Sequence, residues 1–188
     1  MKFPSKYNCL IQNEFTNGDC KIVPIRYEDR IHIMKWRNEQ IFHLRQDKPL
    51  IAKHQNHYFD TVIAKLFSQV EPNQILFSYL ENDICMGYGG LVHINWLDKN
   101  AEISFIMQTS LEKEYFDKIW SKFLNLIEQL AFKELRLHKT YVYAFDLRPQ
   151  LYTILEDNKF IKEAVLKEHY FYKNKFVDVV IHTKLDKK

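Results

Sequence analysis

"ISFIMQTSLEKEYFDKIW", residues 103–120, is the stretch that decides the fold. An apolar alternation runs directly into an amphipathic pattern, which predicts a strand, a short turn and a helix. Unpaired N–H groups at the first turn of such a helix form a natural seat for a phosphate. The turn contains no glycine, the residue that lets backbone approach a phosphate closely. Thr109 and Glu112 have the spacing of a capping box. Glu112 and Glu114 suit the helix dipole but repel a pyrophosphate, and Lys113 offsets part of that charge.

Upstream lie three strand-like runs, 74–81, 85–96 and 101–107, with turn residues at Asn82-Asp83 and Asp98-Lys99, the pattern of an antiparallel meander. Further back are a strand at 21–25, a helix at 28–38 with Ile31, Ile33 and Met34 inward, and a helix at 53–69. Downstream, the helix at 111–132 carries a stripe of Phe116, Ile119, Phe123, Ile127 and Leu130, with Trp120, Leu124 and Ala131 beside it. A strand at 138–145, a short helix at 149–156 with proline in its first turn, and a hairpin of 160–172 and 176–183 complete the chain. The order β-α-α-β-β-β-α-β-α-β-β predicts an α+β fold with a mixed, mostly antiparallel central sheet flanked by helices. The whole chain, 1–188, reads as one domain, with 1–20 as an N-terminal extension.

Composition narrows the class of function. A hydrophobic fraction of 46% and an aromatic fraction of 15% describe a packed globule. The net charge is only +3, and the lysines are dispersed apart from Lys184, Lys187 and Lys188, so no basic stripe marks a nucleic-acid partner. Cys9, Cys20 and Cys85 have no metal-ligand spacing and read as reduced thiols in the cytoplasm. No leader pattern and no bilayer-length apolar run is seen, so no membrane partner is expected. His54 and His57 alone make a poor metal site, and no metal is expected.

The hairpin of 85–107 gathers polar groups. A turn at Asp98-Lys99 places Asn95 opposite Glu102 and His93 opposite Ser104, all on one face, with Val92, Ile94, Trp96, Ala101, Ile103, Phe105 and Met107 on the other. Such a face either meets water or lines a cleft in which Glu102, with His93 as second choice, takes a proton directly or through water.

Several stretches together resemble the GNAT superfamily of acyl-CoA-dependent N-acyltransferases. They are "MKWRNEQ" at 34–40, "ICMGYGGLVHINWLDKNAEISFIM" at 84–107, "LAFKELRLHKTYVYAFD" at 130–146 and "NKFVDVVIH" at 174–182. The first is similar to the branch that acetylates amino-sugar nucleotides and protein N-termini. The resemblance implies that the strands at 101–107 and 138–145 splay apart, with the pantetheine of acetyl-CoA pairing to backbone of Phe105, Ile106 and Met107. It implies pyrophosphate at the start of the long helix (Leu111, Glu112, Lys113), with Arg148 as a further phosphate contact or an exposed arginine. It makes Glu102 the base. Leu155 holds the family's tyrosine position, which leaves Tyr152, one turn earlier, as thiolate acid or as packing. Trp36, Arg37, Asn38 and Asn95 would border the acceptor, a small molecule with a primary amine. The acyl-transfer reading stands beside a binding module of the same fold without transfer, and beside a protein N-terminal acetyltransferase. A homodimer is left open.

Overall fold

The computed structural model describes residues 3–186, so Lys187 and Lys188 of the C-terminal cluster lie outside it. The strands are β1 (Phe15–Asn17), β2 (Cys20–Pro24), β3 (Ile75–Glu81), β4 (Ile84–Asn95), β5 (Asn100–Met107), β6 (Lys139–Phe145), β7 (Ile161–Tyr172) and β8 (Lys175–Leu185). They form one sheet in the order β1-β2-β3-β4-β5-β6-β8-β7. Every neighbouring pair is antiparallel except β5 and β6. The principal helices are α1 (Arg30–Glu39), α2 (Ala52–Tyr58), α3 (Glu112–Glu128) and α4 (Gln150–Asp157). Helix α2 continues through a π turn at Phe59–Ile63, and α3 ends in another at Gln129–Glu134. This is the α+β fold with a mixed, mostly antiparallel sheet that the sequence predicts.

The stripe predicted on α3 is buried throughout and packs on one face of the sheet. Phe105 anchors that contact, stacking on Phe123 at 3.9 Å. Gly87 on β4 makes room for it, since a Cβ there would meet the Phe105 ring at 3.0 Å. The face that α1 turns inward differs from expectation. Ile33 and Trp36 are buried while Ile31 is 39% exposed, on the helix Arg30–Glu39. The first twenty residues are also more than an extension. β1 pairs with β2, Tyr7 stacks on Phe67 at 4.1 Å, and its hydroxyl exchanges hydrogen bonds with both N–H and C=O of Leu76.

Two irregularities shape the centre of the sheet. First, Val92 pairs with Glu102 and Asn95 with Asn100, so His93 and Ile94 together face a single residue of β5. This bulge corrects the expected register. Val92, rather than Asn95, lies opposite Glu102, and Gly90, rather than His93, lies opposite Ser104. His93 takes the bulged place with φ +50°, a strained setting for a residue other than glycine. Second, β5 and β6 pair only from Asn100↔Lys139 to Glu102↔Tyr141, and beyond that point they part. β6 keeps its other neighbour, β8, as far as Phe145. The result is a fork in the sheet with Glu102 at its base.

Candidate active site

The fork opens into a cleft of about 470 Å³ walled by β5, β6, α3 and α4. Glu102 is 8% exposed. Its Oε2 accepts a hydrogen bond from Arg45 Nη2 at 3.2 Å and lies 4.0 Å from His93 Nε2. Arg45 Nη1 is 3.1 Å from the same imidazole nitrogen, and its guanidinium lies over the Tyr143 ring at 4.1 Å. Burial raises the Glu102 pKa, against the opposing pull of Arg45 and His93. A carboxylate held this way is a stronger base than an exposed one. The bulge is what brings His93 beside it, despite the altered register.

A second cavity of similar size lies between α1, α2 and β4, and shares Arg37, Arg45, Gln74, Val92 and Ser104 with the cleft. Arg37 is fixed at this junction, donating from Nη1 to Tyr88 Oη at 2.6 Å and from Nε to Gln46 Oε1 at 2.9 Å. Among the described residues lining either cavity, Glu102 is the sole carboxylate, against Arg37, Arg45 and Arg148.

On the β5 edge, Gln108 N–H donates to Met86 C=O. The alternation of an antiparallel ladder then commits Ile106, Ser104 and Glu102 to β4, and directs the backbone of Ile103, Phe105 and Met107 toward β6. Ile106 therefore does not present its backbone to the gap, contrary to expectation. Met107 does, but its carbonyl already accepts from the buried Gln40 Nε2 at 2.8 Å. Phe105 is the expected residue whose backbone faces the cleft with no such side-chain bond.

The start of α3 is built differently from the capping box. A 3-10 turn, Thr109–Leu111, precedes the helix, and no side chain caps it. Thr109 Oγ1 instead accepts from Gln40 Nε2 at 3.0 Å. Glu112 reaches across to Arg148, which donates to it from Nη2 at 3.0 Å. Far from being exposed, Arg148 is 6% exposed, lies over the Phe116 ring at 4.8 Å, and donates from Nη1 to His43 Nε2 at 2.7 Å. Burial, then the adjacent Arg148, brings the His43 pKa down to about 3, which keeps the imidazole neutral and able to accept. Leu111 is partly buried against the core at this corner, and Lys113 is exposed.

Four expected site residues are placed elsewhere. Tyr152 donates to Asp146 Oδ1 at 2.9 Å and stacks on His182, so it does not line the cleft. The cleft is lined here by Leu151 on α4 and by Arg148 just ahead of the helix, and Tyr152, next after Leu151, turns about 100° away. Trp36 is 4% exposed, in the core. Asn38 staples the following loop through Leu50 and Gln46. Asn95 closes a turn with Asp98. The sequence reading missed Arg45, Gln40, His43 and Tyr143. "HLRQDK" at 43–48 has no periodicity to mark it, and Tyr143 looks like any strand tyrosine.

A strand fork with a buried carboxylate at its base and an amide edge along one wall is the architecture of an acyltransferase that draws on a coenzyme A thioester. The family described as acetyltransferase (GNAT) domain matches residues 22–181, and the chain belongs to it, an N-acetyltransferase using acetyl-CoA. No curated protein matches the sequence. Among solved structures, mutant forms of the Vibrio cholerae spermidine/spermine N-acetyltransferase SpeG superpose with TM-score 0.73 at 18% identity, covering 90% of this chain and 95% of that one. The Vibrio cholerae spermidine N-acetyltransferase in complex with CoA and spermine gives TM-score 0.72 at 19% identity, over 90% and 96%. Its dodecameric form gives 0.71 at 18%, over 90% and 95%. At these identities the likeness shows a shared fold. Among the described residues, no helix is long and apolar enough to cross a membrane.

Proposed function

We propose that this enzyme acetylates the primary amine of a small acceptor that also carries an anionic group, a nucleotide-linked amino sugar being the example that the resemblance of residues 34–40 suggests. The carrying observation is Arg37 at the junction of the paired cavities: Arg45 is paired with Glu102 and Arg148 with Glu112, whereas Arg37 is held by the neutral Tyr88 and Gln46. The spermine of the similar structure is a polycation, which an arginine without a carboxylate partner at this junction disfavours. A phosphate or carboxylate on the acceptor has Arg37 as its natural partner, because Tyr88 and Gln46 already hold the guanidinium in place.

In this reading Glu102 takes the proton of the acceptor ammonium, directly or through one water. The freed amine attacks the thioester carbonyl, and the tetrahedral intermediate collapses with cleavage of the C–S bond; the proton still on the acylated nitrogen passes through solvent to the departing CoA thiolate, giving the neutral amide and the thiol. Arg45 holds the carboxylate in position, and Phe105 backbone pairs with the pantetheine arm along the fork. Arg148 exchanges Glu112 for the pyrophosphate, so that a guanidinium does what small residues do in a glycine-rich turn. The test is an acceptor panel with free CoA as readout. Amino-sugar nucleotides should turn over and spermine should not. Spermine turnover with no turnover of anionic amines defeats the proposal.

A further inference from the structure

Between Arg37, where the acceptor's anion would sit, and Glu102, where its amine would lose a proton, stands Ser104. It lies two residues beyond Glu102 on β5, so both side chains leave the strand on one face, about 7 Å apart. Ile103 and Phe105 on either side of it are buried, yet Ser104 is partly exposed. It is exposed to the two cavities, since it lines the cleft and the second chamber alike, as Arg37 does.

This exposure has a cause on the neighbouring strand. The residue directly opposite is Gly90, which brings no side chain to cover the serine. Only glycine fits there, because a Cβ would collide with the Ile75 carbonyl oxygen. Among the described residues the Ser104 hydroxyl also has no hydrogen-bond partner. Arg45 is turned to Glu102 and His93, and Arg37 to Tyr88 and Gln46. A hydroxyl in the middle of the sheet, open to two cavities and bonded to no other side chain, is free to meet a ligand.

The chemistry of the junction decides which ligand group that is. An ammonium carries three donors and no acceptor, and the guanidinium groups of Arg37 and Arg45 also only donate. Inside the cleft each N–H needs an acceptor in place of the water it leaves. Glu102 takes one proton, and the serine oxygen, with two lone pairs, can accept a second N–H. A nitrogen about 3 Å from Ser104 Oγ is within direct or one-water reach of the carboxylate next to it on the same face.

We propose that Ser104 is an acceptor-binding residue, its hydroxyl oxygen accepting a hydrogen bond from the reacting amine and holding that nitrogen beside Glu102. This rests on the reading of the enzyme as an acetyltransferase of small anionic amines. The bond survives the loss of the first proton, because the neutral amine still carries two N–H groups.

Ser104→Ala removes the hydroxyl without stranding a partner, so the variant should fold as the wild type does. The probe is UDP-glucosamine, or the anionic amine of the acceptor panel that turns over fastest, beside its deoxy counterpart with hydrogen in place of the amine. The variant should lose roughly ten- to a hundredfold in kcat/KM for the amine, the loss of one hydrogen bond from a charged donor. Its affinity for CoA and its inhibition by the deoxy counterpart should equal those of the wild type, since neither ligand has the amine. Ser104→Thr keeps the hydroxyl and should recover kcat/KM to within about threefold of the wild type. Unchanged kcat/KM in Ser104→Ala, an equal weakening of the deoxy counterpart, or a threonine variant as impaired as the alanine one overturns the proposal. A wild type that turns over no anionic amine defeats the acceptor class, and this contact with it. Turnover of such amines by a wild type and a Ser104→Ala variant alike leaves the class standing and removes this contact alone.

Discussion

Glu102→Gln is the sharpest test of the chemistry. Glutamine has the same shape and its amide oxygen can still accept from Arg45, so the fork should keep its geometry while losing its base. Removal of a positioned general base typically lowers rate by about 10²–10⁴-fold. The structure argues for the lower end of that range. His93 Nε2 is only 4.0 Å from the Glu102 carboxylate and can accept the proton in its place. The expected loss in kcat is therefore about 100-fold, near 2.7 kcal/mol of transition-state stabilisation. Stability should change little. The folded-state pKa of Glu102 is raised, so its titration contributes stability that is present below the unfolded pKa and lost as pH rises through the folded pKa. At neutral pH the variant gives up nothing by that route, and a pair with a half-exposed arginine is worth about 0–1 kcal/mol. The assay is release of free CoA thiol at saturating acetyl-CoA across pH, with CoA affinity measured separately. The wild-type rate should fall on the acid side, at a pH above the ordinary glutamate range. The variant should lose the limb that belongs to Glu102, and its residual rate should rise with pH as the acceptor amine loses its proton. A loss under threefold with the acid limb intact would remove Glu102 from the mechanism.

Three further outcomes follow from the same geometry. Arg45→Met removes the charge and hydrogen bond that oppose the upward push of burial on Glu102, so the acid limb should move to higher pH; an unmoved limb would show that Arg45 does not act on the base. Tyr152→Phe should leave kcat within about twofold, because its hydroxyl is bound to Asp146 outside the cleft; a large fall in kcat with unchanged CoA affinity would restore it as the acid. Gln40→Leu strands the buried Met107 carbonyl and should cost about 1–3 kcal/mol in denaturant unfolding, lowering the melting temperature by several degrees; a melting temperature equal to that of the wild type would refute the reading of Gln40 as a structural tie.

The elements were legible because each is written locally. The α3 stripe repeats at helical spacing, β3 to β5 alternate between turn signals, and both are buried as the pattern predicts. Glu102 was legible as a polar residue inside an apolar strand. The register was not, because a bulge at His93 adds one residue to β4, and no residue type signals it: His93 is not the glycine that a positive φ favours.

The sequence by itself determined the α+β order, the core faces and the carboxylate around which the chemistry is proposed, since hydrophobic period and element order act over a few residues at a time. Only the tertiary structure decided what that carboxylate meets. Arg45 comes from a loop 57 residues away in the chain, and Arg148 turns from solvent to a buried partner of Glu112. Gln40, from the end of α1, takes the carbonyl at the end of β5. Such pairings depend on desolvation and on distances between distant segments, quantities that exist only once the sheet has closed and parted at its fork.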